Sequence, residues 1–401
     1  MGRLAKGPIH HLDDSSIGGL PVARELQAPR SGKTLQYAEP MTRRDLAKNA
    51  LGCALLTLPR ASGTVRPQPP GIKLGSQAPA EPTDEDLAFF KQLGADVVYC
   101  AVPPALNSVE GVLRIKKRYA DAGLRVHNVR NLGVTNNQAD IVLNRPGRDQ
   151  KIEAYKAWLR TIGRAGFHYT ITNFNIAQIA ISGFAEVRGS RDRDFDLNAP
   201  DMGIPGATPT GIVSMGSARS LFFGREYSRD EIWANLTYFL RQVAPVAEEE
   251  GVVIGLHPDD PPVPSLFGVP RVLSNFDGCK KALKITGSPN VALCLCCGTW
   301  AEGGKDMGID PAGAIRHFGP RKQIYEIHFR NVSAPLPHFH ETYVDDGYYD
   351  MYKVMKALVD VKYEGIVHLD HFVPMVGGNR TYEAFAAGYM RAMLQRARLK
   401  T

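Results

Sequence analysis

The sequence predicts an α/β protein, a (β/α)8 TIM barrel that forms a single catalytic domain with one long insertion after strand four. From Gly71 onward, eight short apolar segments alternate with amphipathic segments, and this strand-then-helix order favours a parallel sheet. An open doubly wound sheet is the alternative, but no glycine-rich phosphate loop follows an early strand. Barrels of this kind commonly exceed 250 residues as one domain, so the length fits.

The apolar segments place the eight strands at 72–76, 96–102, 125–130, 168–174, 252–258, 291–297, 324–332 and 366–372. Helical patterns are clearest at 83–93, 109–122, 149–165, 229–250, 351–361 and 381–399. Thr83 and Ser228 each precede acidic residues, as is typical of helix N termini. The insertion, residues 175–228, contains no convincing long helix, and we expect it to serve as a lid or an interface.

Composition limits the classes of partner. The net charge of +7 mildly favours anionic partners, but the basic residues are scattered, so we expect a small anionic substrate and no nucleic acid. The six cysteines are too few and too clustered for a disulfide framework in a chain of 401 residues. The sequence leaves homo-oligomerisation open.

The N-terminal part resembles an export signal. Residues 41–63 contain the pair Arg43-Arg44 and then a short apolar stretch, which is typical of a twin-arginine signal. The stretch is too short for stable membrane insertion. We therefore expect export to the periplasm; if the segment is instead a surface helix, the protein is cytoplasmic. Residues 1–40 are expected to be a disordered or mis-assigned extension, 64–71 a linker, and 72–401 the barrel.

Residues that can bind a metal fall at the ends of four successive strands. Active sites of these barrels lie at the C-terminal ends of the strands, and alternate strand residues face the lumen. This alternation puts four donors at one rim: His257, Cys296, His328 and Asp370. Any one of them alone is explained as a structural residue, but their joint placement favours a site for Mn²⁺, Zn²⁺, Fe²⁺ or Co²⁺.

Several motifs resemble the mannonate dehydratases, which belong to the xylose isomerase-like barrels. The resemblance is strongest over residues 230–372, and its most specific motif is His-Pro-Asp-Asp-Pro-Pro at 257–262. The other motifs are Leu295-Cys-Cys-Gly-Thr299, Ile327-His-Phe-Arg330, Phe339-His-Glu341 and Leu369-Asp-His371. The resemblance implies the same four metal ligands, Mn²⁺ as the usual metal, and the conversion of D-mannonate to 2-keto-3-deoxy-D-gluconate.

Further roles follow from the chemistry of that reaction, which removes a proton from C2 and a hydroxyl group from C3. His371 is the candidate general base or acid, and His340 is a second candidate, for the leaving hydroxyl. Arg330 is expected to bind the substrate carboxylate. Residues expected to contact the substrate or to orient the ligands are Asn173, Asp259 and Asp260.

Some segments depart from the family pattern. The match fades over strand three, which supplies Arg130 and no carboxylate that aligns, while the arginine-rich segment 183–196 could clamp an anion. Two alternatives therefore stay open at this point. One is a metal-dependent isomerase or epimerase of the same superfamily, and the other is an exported sugar-binding protein without catalytic activity.

Overall fold

The computed structural model describes residues 70–135, 139–176, 179–205 and 212–399. The predicted extension 1–40, the signal-like segment 41–63 and most of the linker lie outside these residues. Within the described part of the chain, none of the helices combines the length and apolar character that crossing a membrane requires.

Eight parallel strands form the central sheet. They are β1 (Lys73–Ala78), β2 (Val97–Ala101), β3 (Val126–Arg130), β4 (Tyr169–Asn173), β5 (Val253–His257), β6 (Val291–Cys296), β7 (Ile324–His328) and β8 (Ile366–His368). Their hydrogen-bonded order is β3-β2-β1-β8-β7-β6-β5-β4, and the two end strands contact each other. The sheet therefore curves into a nearly closed barrel, which confirms the predicted fold class.

A helix follows each strand. The helices are α1 (Asp84–Leu93), α2 (Val109–Asp121), α3 (Arg148–Arg164), α4 (Arg229–Glu250), α5 (Phe276–Lys284), α6 (Pro311–Phe318), α7 (Met351–Asp360) and α8 (Asn379–Arg398). Thr83 and Ser228 form capping boxes at the starts of α1 and α4, as their sequence context predicts. Gly251 ends α4 in the left-handed conformation, at φ 64°, where a side chain would be strained.

The predicted and observed boundaries differ at the end of the barrel. Strands β7 and β8 stop at His328 and His368, four residues before their predicted ends at 332 and 372. The apolar pattern of the sequence does not reveal these strand ends, because buried apolar residues such as Phe329 and Leu369 continue beyond both strands. Two short helices, α5 and α6, lay outside the clearest helical patterns.

The insertion contains short strands but no long helix in its described part. Gly183–Val187 and Ser190–Asp196 form an antiparallel hairpin, to which His338–His340 adds a third strand from the loop after β7. Rings of Phe195 and Phe339 stack at 5.4 Å between these segments. Two further strands, Met202–Pro205 and Ile212–Gly216, pair with each other. The hairpin is therefore anchored on the C-terminal side of the barrel.

Packed side chains fill the lumen below the rim. The rings of Tyr169 and Tyr325 stack at 4.5 Å, and Ala292 and Cys294 are buried in the same apolar cluster. Because side chains alternate along β6, Cys296 is the next inward position above Cys294. A closed floor thus supports the residues at the C-terminal rim.

Candidate active site

The structure brings the four predicted metal ligands together at the C-terminal rim. His257, Cys296 and His328 are the last residues of β5, β6 and β7, and Cys296 pairs with His328 across the sheet. One ligand atom from each of these residues and from Asp370 lies within 4.8 Å of all the others. Metal binding by this cluster remains a prediction.

Asp370 reaches the cluster by a different route from the expected one. The alternation along strand eight places Asp370 as its last inward residue, but β8 ends at His368, which is level with His328. Asp370 therefore extends from the segment after the strand. Its Oδ1 atom lies 3.2 Å from His328 Nδ1, and its Oδ2 atom lies 3.6 Å from Cys296 Sγ.

The donor atoms fit a divalent cation. His257 Nδ1 donates to the carbonyl oxygen of Pro258 at 2.7 Å, which leaves the Nε2 lone pair for a ligand. Burial lowers the pKa of His257 to about 3, so its ring is neutral. Within the described chain, His328 Nε2 is buried and has no hydrogen-bond partner, while Nδ1 faces Asp370 Oδ1 at 3.2 Å. A buried nitrogen without a partner is rare, and it suits a residue that binds a metal.

Two buried arginines and three carboxylates form an ion-pair network beside the cluster. Arg193, from the insertion hairpin, donates to Asp260 at 2.9 Å, to Glu302 at 3.0 Å and to Glu341 at 3.0 Å. Arg330 contacts the same three carboxylates, including Asp260 at 2.8 Å. Burial raises the pKa of Glu302 above its ordinary value, and the neighbouring Asp260 carboxylate raises it further.

Arg330 does not lie where the sequence analysis expects it. Its guanidinium donates to Glu341 and Asp260, and it lies 3.6 Å from Cys296 Sγ, but it does not line the pocket above the cluster. Gly298 allows this placement, because a Cβ atom there would lie 2.3 Å from Arg330 Nε. Carboxylates of the protein itself thus already bind Arg330, the residue that was expected to bind the substrate carboxylate.

His371 lines the pocket, and Glu341 orients it. The Nδ1 atom of His371 donates to Glu341 Oε1 at 2.9 Å, while Nε2 lies 3.5 Å from Asp370 Oδ2. Burial alone would lower the pKa of His371, but the Glu341 carboxylate raises it above its ordinary value. A carboxylate–imidazole pair of this kind fixes both the ring orientation and the tautomer.

The other predicted residues divide into two groups. Asn173 and Asp260 line the pocket with His371. Asp259 instead accepts a hydrogen bond from the Leu273 amide at 2.7 Å, which holds the loop after β5. His340 does not line the pocket, since its strand pairs with the insertion hairpin. The structure therefore separates His340 and Asp259 from the ligand cluster, and their proposed roles remain predictions.

The pocket above the cluster has a volume of about 230 Å³. Sequence reasoning gave no role to several residues that line it: Gln77, Tyr99, Arg130, Asn175 and Ile179. Arg130 could have been found, because it is the last residue of β3, as Asn173 is of β4. No comparable signal marks Glu302, which is buried in the helical segment Cys297–Gly303.

A second group of ligand-type atoms lies next to the cluster: Glu326, His328 and His368. Both nitrogens of His368 already have partners, since Nε2 pairs with Glu326 and Nδ1 bonds to the Leu369 carbonyl oxygen at 2.6 Å. The ring of Tyr99 covers His368 at 4.3 Å. This group therefore fits a hydrogen-bonded support beside His328 better than a second ion site.

Comparisons with known proteins agree with this site. The model of the D-mannonate dehydratase family, UxuA, matches residues 192–395, just over half of the chain. A mannonate dehydratase from Thermotoga neapolitana is 30% identical over 298 residues, which cover 66% of this chain and 77% of that protein.

Solved structures are similar over more of the chain. The mannonate dehydratase of Streptococcus suis serotype 2 has a TM-score of 0.68 at 26% identity, covering 82% of this chain and 94% of that one. A xylose isomerase domain protein from Alicyclobacillus acidocaldarius shares the fold alone, with a TM-score of 0.55 at 12% identity over 82% of this chain and all of that one. The resemblance inferred from the motifs is confirmed, and the chain belongs to the D-mannonate dehydratase family.

Proposed function

We propose that this chain is a metal-dependent hydro-lyase that converts D-mannonate to 2-keto-3-deoxy-D-gluconate. The observation that carries the proposal is the cluster of His257, Cys296, His328 and Asp370 at the mouth of the barrel, where three of the four line an open pocket. Family membership supports the same reaction, because the relatives from Thermotoga neapolitana and Streptococcus suis are named mannonate dehydratases.

The four residues would hold one divalent cation. Two imidazoles, a thiolate and a carboxylate suit a borderline ion, and we propose Mn²⁺, with Fe²⁺, Co²⁺ and Zn²⁺ as ions that the same donors accept. A cation held there would stabilise the negative charge that forms on the substrate when the C2 proton leaves.

Arg130 binds the substrate carboxylate in this proposal. It ends β3 and lines the pocket together with three of the four metal ligands. Its Nε atom is buried and has no hydrogen-bond partner among the described residues. A guanidinium can donate two parallel hydrogen bonds to a carboxylate. Asn173, at the end of β4, lines the same wall and can contact substrate hydroxyl groups.

His371 transfers a proton, either from C2 or to the leaving 3-hydroxyl group. Since Nδ1 donates to Glu341, Nε2 is the nitrogen that can exchange a proton with the substrate. His340 stays a second candidate for the 3-hydroxyl group, a role that requires it to move into the pocket.

The ion-pair network keeps Glu341 and Asp260 ionised and in place. Burial opposes ionisation of Asp260, but Arg193 and Arg330 outweigh it and hold its pKa below its ordinary value. Asp260 lines the pocket and can accept a hydrogen bond from a substrate hydroxyl group. Arg330 is thus a positioning residue, and Asp259 stabilises the loop after β5.

The domain division and the location of the protein belong to the same proposal. Residues 72–401 form the catalytic domain, and the insertion 175–228 supplies Arg193 to its active site. The twin-arginine-like segment 41–63 directs export, which puts the reaction in the periplasm.

Incubating the purified protein and Mn²⁺ with a panel of aldonates tests the function. We expect D-mannonate to give a 2-keto-3-deoxy acid, and His371→Gln to lower kcat by about 10²–10⁴-fold, the usual contribution of a general acid or base. His338→Gln is the matched control, since His338 lies on the surface and bonds to Asp194. Interconversion of aldoses and ketoses without turnover of any acid would instead support an isomerase or epimerase. Binding without turnover would support a sugar-binding protein.

A further inference from the structure

A second cavity, of about 460 Å³, adjoins the pocket above the metal-ligand cluster. Gln77 and Ala101 line both spaces, and the neighbours His371 and Phe372 line one each. We call this second space the outer cavity; its lining includes Gln77, Phe89, Phe372, Asn379, Arg380 and Glu383. No step of the proposed dehydration uses it.

The outer cavity combines aromatic faces with hydrogen-bonding groups. Phe89 and Phe372 are half-buried, and the guanidinium of Arg380 lies 5.7 Å from the centre of the Phe89 ring. Arg380 forms surface ion pairs with Glu85 and Asp86 at 2.6 and 2.7 Å, which favour this orientation of its guanidinium. Apolar ring faces next to polar groups suit a ligand that is itself amphipathic.

Glu383 and Gln77, two polar residues that line the outer cavity, are held by hydrogen bonds. Glu383 is buried in α8 and accepts a hydrogen bond from the Gln77 amide at 3.0 Å. The side-chain oxygen of Gln77 accepts from Tyr99 at 3.2 Å, which leaves its NH₂ group to donate to a ligand. Because Gln77 lines both spaces, a ligand that extends from one to the other would pass this group.

The two spaces together have room for a ligand larger than a hexonate. The space above the cluster is about 230 Å³, below the usual 300–1,000 Å³ range of ligand pockets, and the outer cavity has twice that volume. A pyranose ring has apolar C–H faces and hydroxyl groups at its edge, which matches the two phenylalanines and the nearby amide and carboxyl groups.

We propose that the outer cavity is a subsite for a sugar ring carried by the aldonate, so that glycosylated aldonates are substrates. This inference rests on the proposed dehydratase function. Elimination breaks the C2–H and C3–O bonds and releases water, and the resulting enol becomes the 2-keto-3-deoxy acid. The glycosidic bond does not change, so the ring must be attached through O4, O5 or O6.

Calorimetry and kinetics with two acids test the subsite: D-mannonate and 4-O-β-D-mannosyl-D-mannonate, obtained by oxidising mannobiose. We expect the full-length protein with Mn²⁺ to bind the disaccharide acid about tenfold more tightly. The ratio of kcat/KM for the two acids should fall about tenfold in Phe89→Ala. Phe222→Ala is the matched control, because Phe222 is an exposed phenylalanine outside the outer cavity.

The outcomes separate the two proposals. If D-mannonate is dehydrated but the disaccharide acid binds no more tightly, or if Phe89→Ala leaves the ratio unchanged, the subsite is wrong and the dehydratase function stands. If neither acid is dehydrated but the disaccharide acid binds more tightly through Phe89, the dehydratase function is wrong. The glycosylated aldonates are then not substrates, and only the binding of a sugar ring in the outer cavity stands. Asn379→Ala, a change at the exposed edge of the cavity, gives a second measurement if Phe89→Ala does not fold.

Discussion

Glu341 contacts both buried arginines and His371. Replacing it shows whether Glu341 orients His371, because the effect on kcat can be measured separately from the effect on the free energy of unfolding. Glu341→Gln keeps the size of the side chain but removes its charge. The 2.9 Å hydrogen bond from His371 Nδ1 then ends on a neutral amide oxygen instead of a carboxylate. Hydrogen bonds to charged groups contribute about 1.5–3 kcal/mol and neutral ones about 0.5–1.5 kcal/mol, a difference of about 1–1.5 kcal/mol. If this bond acts in the transition state, kcat falls about 5- to 13-fold, because each 1.36 kcal/mol is a factor of ten.

Glu341→Gln should lower the free energy of unfolding by less than the loss of one partner usually does in a buried ion pair. Removing one partner of a buried pair costs about 3–5 kcal/mol when a charge is left uncompensated. Here Asp260 and Glu302 still balance the two guanidiniums, so we expect about 1–3 kcal/mol, the cost of weakened hydrogen bonds. Thermal denaturation of the purified variants measures this cost.

Glu302→Gln is the matched control, because Glu302 contacts both arginines but not His371. We expect this variant to keep kcat within about threefold of the parent value, while Glu341→Gln loses kcat with a KM close to that of the parent. Steady-state kinetics of the dehydration measure both constants. An equal loss of kcat in the two variants, or no loss in Glu341→Gln, would refute the role of Glu341 as the residue that orients His371.

Three further predictions concern the metal, the pH dependence of stability, and export. Cys296→Ala and Asp370→Ala should each lower the bound metal measured by elemental analysis, and full occupancy in both would refute the ligand assignment. Burial raises the pKa of Glu383 to about 7, above its unfolded value of 4.5, so its stabilising contribution is present below pH 4.5 and is lost as the pH rises through 7. Glu383→Gln should therefore gain up to about 3 kcal/mol of unfolding free energy relative to the parent between pH 5 and pH 8, measured by urea denaturation; a constant difference would contradict this sign. A reporter fused to residues 41–70 should lose translocation when Arg43 and Arg44 are replaced by lysine, and unchanged translocation would exclude a twin-arginine route.

The sequence predicts the barrel because each of its strands is a local apolar run. It also predicts three of the four ligand positions for a local reason, since His257, Cys296 and His328 end their strands. Asp370 was found by the same rule although it lies beyond the end of β8, because the segment after the strand keeps the carboxylate near the rim.

The rest depends on contacts between distant segments. The sequence marks Arg193 only as one of several arginines in the insertion, and its three carboxylates are 67, 109 and 148 residues away. Arg330 has the right position for a substrate ligand but contacts carboxylates of the protein instead, and no local pattern reports such a pairing. The sequence therefore identifies the candidate metal ligands but not the network of buried arginines and carboxylates beside them.

Because the insertion hairpin supplies Arg193 to the ion-pair network, the insertion of this enzyme cannot be replaced freely. Residues 175–228 are a tempting target for loop grafting, since they lie outside the barrel strands. A grafted loop without a matching arginine would leave Asp260, Glu302 and Glu341 around the single guanidinium of Arg330. A successful chimera must transfer the arginine with the loop or neutralise one carboxylate in the recipient barrel.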